Sequence, residues 1–226
     1  MIGIGGAHSG SGKTTYASLL LQRLRGWGAI KYTKTSIYTS ITDDRDILST
    51  ENKDTRRMLD SGAERILWVQ SPPLELGEVL PLAVDRLSDL EGIVVEGNSA
   101  IEFLKPDIIL FIFGTEPEIL KESAKGILSK AHIVISEKED RPKGSGEARW
   151  FRKSPADYEN LLGYVIGMIS AIEKIRFLLK EQAIDGKISC TVVRKIAEDL
   201  NLPYHEAGKA ANELGIKITD CELGCF

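Results

Sequence analysis

Short apolar runs alternate with segments of helical spacing along the first 136 residues. We interpret six runs as buried strands, because most lack the alternation typical of a half-exposed strand. The runs occupy residues 1–6, 29–32, 66–69, 92–96, 107–113 and 132–136. Helical candidates lie at residues 13–25, 54–61, 76–90 and 116–130. This alternation predicts an α/β fold, doubly wound around a mainly parallel sheet.

The pattern changes after residue 136. Residues 137–154 are polar and basic and contain Gly144-Ser145-Gly146, which predicts a mobile loop. A long amphipathic helix is expected at 155–182. Two shorter helices at 190–201 and 204–214, with a turn between them and a strand at 216–219, predict a small helix-turn-helix-like unit.

The predicted organisation therefore has three parts. Residues 1–154 form the α/β domain, residues 155–184 form a connecting helix, and residues 185–226 form a small cysteine-containing domain. A chain of 226 residues is long enough for one full domain and a small appendage.

Composition narrows the class of protein. The chain is 42% hydrophobic and 27% charged, as is usual for a globular protein, and its net charge of −4 gives no global attraction to nucleic acid. The longest nearly apolar stretch, residues 161–172, is too short to span a bilayer. With no room for an export signal before residue 7, we expect a cytoplasmic protein without a membrane partner.

The segment Ala7-His8-Ser9-Gly10-Ser11-Gly12-Lys13-Thr14-Thr15 lies between the first strand and the first helix. It fits the phosphate-loop pattern G-x-x-x-x-G-K-[ST], with alanine at the first position. Lys13 would pair with the terminal phosphates and Thr14 would ligate Mg²⁺. The expected nucleotide contacts are Ser9, Gly10, Ser11, Gly12, Lys13, Thr14 and Thr15.

Acidic and basic residues follow other strands of the predicted sheet. Glu96 ends an apolar strand, where ligands bind in open α/β sheets, and we expect it to act with Lys13 and to help hold Mg²⁺. The alternative is a carboxylate that only terminates the strand. The acidic pair 43–44 is either a metal-binding group or a solvated loop, and Lys31 and Lys34 could face phosphate or a substrate anion.

Residues Glu137-Lys138-Glu139-Asp140 directly follow the last predicted strand. GTPases carry Asn-Lys-x-Asp at this place, so Lys138 would pack over the base and Asp140 would accept from guanine. Glu137 stands where asparagine is expected. The sequence therefore leaves the choice between ATP and GTP open, as well as the alternative of a plain polar loop.

All three cysteines, Cys190, Cys221 and Cys225, fall in the last forty residues. They could form a second metal site, for zinc or an iron–sulfur cluster, or a redox site. A tetrahedral zinc site would need a fourth ligand, such as His205, a carboxylate or a group from another chain. The alternative is that Cys190 only packs in a core.

The helix-turn-helix pattern by itself suggests DNA binding, but the charges do not support it. Residues 183–226 contain seven acidic and five basic residues, whereas affinity for DNA depends largely on lysine and arginine. We therefore expect a protein-interaction module and not a nucleic-acid partner.

Residues 1–140 resemble the MobB family of molybdopterin-guanine dinucleotide biosynthesis adaptors. The resemblance rests on residues 8–15, Ala29-Ile30-Lys31, the segment from Lys53-Asp54-Thr55 to Gly62-Ala63, and Val94-Val95-Glu96-Gly97. It implies GTP binding, weak hydrolysis, Glu96 near Mg²⁺ and Asp54 towards the substrate. The stretch after the second strand, the continuation after Glu96-Gly97 and the cysteine-bearing tail depart from the family.

Two main functions remain. The first is a slow Mg²⁺-dependent GTPase or ATPase that serves as an accessory factor in molybdenum or other metal cofactor biosynthesis, with a protein client. The alternative is an ATP-dependent small-molecule kinase or a ligase similar to dethiobiotin synthetase, in which Asn98, Ser99 and Lys31 would line an acceptor site. A nucleotide-sensing regulator that binds nucleic acid ranks last, and a homodimer is compatible with the sequence.

Overall fold

The computed structural model describes residues 1–50, 54–114, 120 and 122–220 of the chain. The chain divides into two compact units, Met1–Leu162 and Gly163–Phe226, and the dividing point falls inside a long helix, Tyr158–Gln182. Over the described ranges, no helix combines the length and the apolar character that crossing a membrane would require.

Eight strands in the described part of the first unit form one sheet. They are β1 (Ile2–Gly6), β2 (Trp27–Lys34), β3 (Ser40–Thr42), β4 (Ile66–Ser71), β5 (Gly92–Glu96), β6 (Ile108–Ile112), β7 (Ile133–Ser136) and β8 (Arg149–Arg152). Their order is β3-β4-β2-β5-β1-β6-β7-β8. Only β3 runs antiparallel to its neighbour, β4. The C-terminal ends of the other seven strands therefore share one edge of the sheet.

Helices connect these strands. In the described residues they are α1 (Lys13–Leu21), α2 (Arg45–Leu48), α3 (Asp54–Asp60), α4 (Leu76–Asp85), α5 (Asn98–Leu104) and α6 (Glu122–Leu128). Every residue of β1 and of β6 is buried. Since successive side chains of a strand point to opposite faces, both faces of the sheet must be covered at its centre. The predicted doubly wound, mainly parallel α/β fold is confirmed.

The position of β1 within the sheet determines where a ligand can bind. The consecutive strands β5 and β6 lie on opposite sides of β1. Connections that leave in opposite directions open a crevice at the C-terminal ends of such strands, and this is where open α/β sheets bind ligands. The segment that follows β1, residues 7–12, lies at this crevice.

The second unit contains a helical pair and a small sheet. Its elements are the remainder of α7 (Tyr158–Gln182), β9 (Lys187–Ser189), α8 (Cys190–Asp199), α9 (Tyr204–Glu213) and β10 (Lys217–Thr219). The strands β9 and β10 pair in parallel. The Ser189 hydroxyl caps α8 by accepting from the backbone N–H of Val192 at 3.3 Å. The helix-turn-helix-like character of this unit is confirmed.

Among the described residues, five strands and α-helices were not predicted from the sequence: β3, α2, α5, β8 and β9. All are short, and β8 lies within the segment that the sequence indicated to be a mobile loop. Its sequence, Arg149-Trp150-Phe151-Arg152, has a charge at each end, and it forms the sheet edge beside β7. The sequence also extended α1 to residue 25, whereas the helix ends at Leu21 and continues as a turn.

Candidate functional site

The loop of residues 7–12 joins the buried strand β1 to α1. Gly12 directly precedes α1 with a φ of 98°, a left-handed conformation that strains any residue with a side chain. No side chain caps the N-terminus of α1. The N–H groups of its first turn therefore point to the loop, and together with the helix dipole they favour an anion there.

The Lys13 side chain turns back over this loop. Its ammonium group donates to the backbone carbonyl of His8 at 2.8 Å and lies 3.5 Å from the Ser11 hydroxyl oxygen. The loop thus encircles a positive charge next to the N-terminus of α1. This combination of a cation and a helix N-terminus is suited to phosphate oxygens.

Thr14 and Glu96 meet where α1 begins and β5 ends. The Thr14 hydroxyl donates to one Glu96 carboxylate oxygen at 2.9 Å. Both side chains are buried, and only 2% of the Glu96 surface is exposed. The strands β1 and β5 are parallel neighbours with Ile4 opposite Glu96, so this contact follows from the sheet register.

Lys31 joins this pair from the neighbouring strand β2, where it lies opposite Glu96. Its ammonium contacts the second Glu96 carboxylate oxygen and lies 2.7 Å from the Asp54 carboxylate at the start of α3. Burial acts to raise the pKa of Asp54, but the hydrogen bond and charge of Lys31, aided by the Thr14 hydroxyl, outweigh it and hold the pKa below its usual value.

These four residues form what we call the acidic cluster: Thr14, Lys31, Asp54 and Glu96. Two carboxylates and a hydroxyl are hard oxygen donors, which suit Mg²⁺ together with phosphate oxygens and water. The residues therefore fit a magnesium ion bound with a nucleotide. The sequence predicted Thr14 and Glu96 for this role, whereas the contact of Lys31 with both acids was not predicted.

Asn98 holds the end of β1 in place. Its amide oxygen accepts from the Gly6 N–H and its amide nitrogen donates to the Gly6 carbonyl, each at 3.0 Å. Gly97 before it has a φ of 134°, and a Cβ there would lie 3.1 Å from that of Tyr32. The sequence alternative placed Asn98 in an acceptor site, but both ends of its amide bind the backbone at the start of the loop.

The predicted base-reading segment follows β7. Residues 137–140 are exposed. The assignment of Lys138 and Asp140 as base contacts stays a prediction. Glu137 forms an ion pair with Lys153 at 2.9 Å, from the segment directly after β8. A Cβ on Gly12 would lie 3.5 Å from the Lys153 Cε, so this lysine reaches the phosphate loop. From the sequence, Lys153 was only part of the polar and basic segment 137–154.

The remaining candidate residues are the acidic pair 43–44 and the three cysteines. Asp44 caps α2 by accepting from the backbone N–H groups of Asp46 and Ile47, a local role that the sequence did not predict. Cys190 is a half-buried residue at the start of α8. Cys221 and Cys225 lie outside the described residues. Among the residues that are described, no group of three or more histidine, cysteine, aspartate or glutamate side chains could hold a metal ion.

The strand β1, the glycine-bearing loop and α1, with Glu96 on the adjacent strand, define a P-loop NTPase fold. The structure is similar to the crystal structure of HypB from Helicobacter pylori in complex with nickel, with a TM-score of 0.45 and 16% sequence identity over 73% of this chain and 84% of that chain. Because the sequence identity and the TM-score are both low, this similarity carries no argument about the activity of this chain. No family model and no curated protein matches it.

Proposed function

We propose that the first unit binds a nucleoside triphosphate with Mg²⁺ and hydrolyses it slowly. The observation that carries the proposal is the hydrogen bond from Thr14 to Glu96 beside the phosphate loop. Thr14 lies in the first turn of α1, whose N-terminus favours phosphate, and Glu96 is an acid that could bind a metal ion. Lys13 would then contact the β- and γ-phosphates, and the N–H groups of residues 9–15 would surround them.

Mg²⁺ would be held by the Thr14 hydroxyl and Glu96, directly or through water. The ion would neutralise charge on the β- and γ-phosphates and polarise the bond that breaks. Glu96 and Lys13 are the residues to which we assign the catalytic role. Their part is to position the phosphates and stabilise their charge, which is the main contribution of proteins to phosphoryl transfer.

The base would extend from the loop towards the C-terminal ends of β7 and β8. Glu137, Lys138 and Asp140 follow β7, and Lys153 follows β8. In this arrangement Lys153 adds a cation near the phosphate end, while Asp140 is the group that would distinguish guanine from adenine. GTP and ATP are the two candidates.

The proposed biological role is that of an accessory factor in the assembly of a molybdenum or other metal cofactor. This part rests on the resemblance of residues 1–140 to the MobB family. Nucleotide binding would order the loops around the site and so change the surface offered to a protein client. The second unit, with its cysteines, would contact the client or carry the metal.

A second candidate is a small-molecule kinase or ATP-dependent ligase. The observation that favours it is the position of Lys31 and Asp54, whose contact of 2.7 Å lies next to the expected place of the terminal phosphate. A charged pair there could bind an acceptor molecule. Such an enzyme would transfer the phosphoryl group to that acceptor, whereas an accessory factor hydrolyses slowly until its client is present.

Calorimetric titration with MgGTP and MgATP tests the proposal, together with turnover measurements and metal analysis of the anaerobically purified protein. Tight GTP binding, slow hydrolysis and bound zinc or iron would support the cofactor-assembly role. A preference for ATP, with no metal, would favour the kinase or ligase. Failure to bind either nucleotide would exclude both.

A further inference from the structure

Lys31 occupies the centre of the acidic cluster. Its ammonium contacts the carboxylates of Asp54 and Glu96 at the same time, and Glu96 also accepts from Thr14. Three of the four residues of the cluster are therefore oxygen donors suited to a divalent cation, and the fourth is a cation that already binds two of them.

The fold gives Lys31 this position by register and burial. It lies opposite Glu96 across β2 and β5, and its side chain is only 14% exposed. A carboxylate as deeply buried as Glu96 is costly unless a positive charge or hydrogen bonds compensate it. Lys31 provides that positive charge.

We propose that Lys31 is a stand-in for the magnesium ion. It holds the carboxylates of Asp54 and Glu96 in place while no nucleotide is bound. When a nucleoside triphosphate binds with Mg²⁺, Lys31 releases these oxygens, which would then hold the ion, and its ammonium moves to the terminal phosphate. This inference rests on the proposed function and adds to it a specific exchange of cations.

The charges explain why the exchange needs a nucleotide. Mg²⁺ alone must displace the Lys31 ammonium from both carboxylates, so the two cations compete for the same oxygens. A triphosphate brings new negative charge to this place, and the flexible four-carbon stem of lysine allows its ammonium to follow. Binding of the metal and binding of the triphosphate are then coupled through Lys31.

Two properties follow from this coupling. The nucleotide-free protein binds divalent cations weakly, although it possesses a suitable set of oxygen donors. The protein also distinguishes a triphosphate from a diphosphate, because only the γ-phosphate offers the displaced Lys31 a new partner. Removal of the lysine charge should therefore raise the affinity for divalent cations and lower the preference for a triphosphate.

The test measures Mn²⁺ binding by electron paramagnetic resonance on the full-length, nucleotide-free protein. Mn²⁺ is a paramagnetic substitute that also prefers oxygen ligands. The Lys31→Met variant keeps most of the stem but removes the charge, and we expect it to bind Mn²⁺ at least about tenfold more tightly than the wild type. Equal affinities would overturn the proposal.

Two further variants serve as a control and as a substitute for a Lys31→Met protein that does not fold. Lys125→Met is the matched control, since Lys125 pairs with Glu122 at 2.8 Å on the surface of α6, and it should leave Mn²⁺ binding unchanged. Lys31→Gln serves if Lys31→Met does not fold, because glutamine is neutral but can still donate to Glu96. We expect the same gain in Mn²⁺ affinity, and no gain in a folded Lys31→Gln protein would also overturn the proposal.

The experiment distinguishes failure of the proposed role of Lys31 from failure of nucleotide binding. MgATP and MgGTP are titrated into the wild type in parallel, and failure of both to bind would overturn nucleotide binding itself. If the wild type binds nucleotide but the Lys31 variants gain no Mn²⁺ affinity, only the stand-in role fails. If the variants gain Mn²⁺ affinity, we also expect their preference for tri- over diphosphate to fall by about threefold or more.

Discussion

The Thr14 hydroxyl donates a hydrogen bond to the Glu96 carboxylate at 2.9 Å, across 82 positions of sequence. Two distant parts of the sequence thus meet at one point: the first turn of the helix after the phosphate loop, and the end of the strand beside β1. The contact places a hydroxyl at the phosphate-binding end of α1 against an acid that could bind a metal ion.

Glu96→Gln should uncouple nucleotide binding from Mg²⁺. The amide keeps the shape of the side chain and can still accept from Thr14, but it loses the charge that would attract the ion. We expect affinity for the nucleotide in Mg²⁺ to fall about tenfold, with little change in EDTA. Calorimetry in both buffers provides the measurement. Glu102→Gln, at a surface acid paired with Lys130, is the control, and equal losses in both buffers would contradict the metal role.

Asn98→Ala should destabilise the first unit. The substitution removes two hydrogen bonds of 3.0 Å and leaves the N–H and C=O of Gly6 without these partners. We expect the free energy of unfolding to decrease by about 1–3 kcal/mol. Urea unfolding measures it, with Asn160→Ala at an exposed position of α7 as the control. A change as small as that of the control would show that the amide does not hold the loop.

Much of the fold was predictable because the signals are local. The apolar run of β1, the glycines and lysine of the loop, and the helical spacing of α1 lie within 25 residues. The contacts of Lys31 with Asp54 and Glu96, of Asn98 with Gly6, and of Lys153 with the loop span many more positions. They depend on the order of strands in the sheet, which hydrophobic periodicity does not encode. The sequence therefore identified Glu96 but not its lysine partner.

Acid should weaken the contact between Lys31 and Asp54. The pKa of Asp54 is held below its usual value in the folded protein, so the contact stabilises the fold above the unfolded-state pKa, and this contribution is lost as the pH falls through the folded-state pKa. We expect unfolding free energy to decrease below about pH 4. In Asp54→Asn this part of the decrease should be absent.

The size of this acid effect is limited because the Asp54 side chain is 46% exposed. We expect the difference between the two pH profiles to stay below about 1 kcal/mol. Urea unfolding between about pH 6 and pH 3 measures it, with Asp85→Asn, at an exposed position of α4, as the control. Profiles of wild type and Asp54→Asn that remain parallel would exclude a stabilising ion pair.

Asp140→Asn should weaken GTP binding more than ATP binding if Asp140 reads guanine. A carboxylate accepts from two guanine N–H groups, whereas an asparagine amide presents a donor to one of them. We expect at least about a tenfold loss for GTP and little change for ATP. Competition binding with both nucleotides gives the ratio. Equal effects on both would indicate that residues 137–140 do not select the base.

Lys153→Ala should weaken both nucleotides to a similar degree. Lys153 lies against Gly12 of the phosphate loop and pairs with Glu137, so its charge would act on the phosphate end that GTP and ATP share. We expect a loss of about three- to tenfold for each. Lys143→Ala, an exposed lysine of the preceding loop, is the matched control. A loss confined to one nucleotide would place Lys153 at the base instead.

If the loop after β1 binds nucleotide phosphates, loss of the Lys13 ammonium should abolish that binding. Calorimetric titration of wild type and Lys13→Ala with MgGTP and MgATP, with circular dichroism to confirm folding, is the decisive measurement. We predict binding to the wild type and at least about a hundredfold loss in a folded variant. Retained affinity in folded Lys13→Ala would contradict the assignment of the phosphate loop.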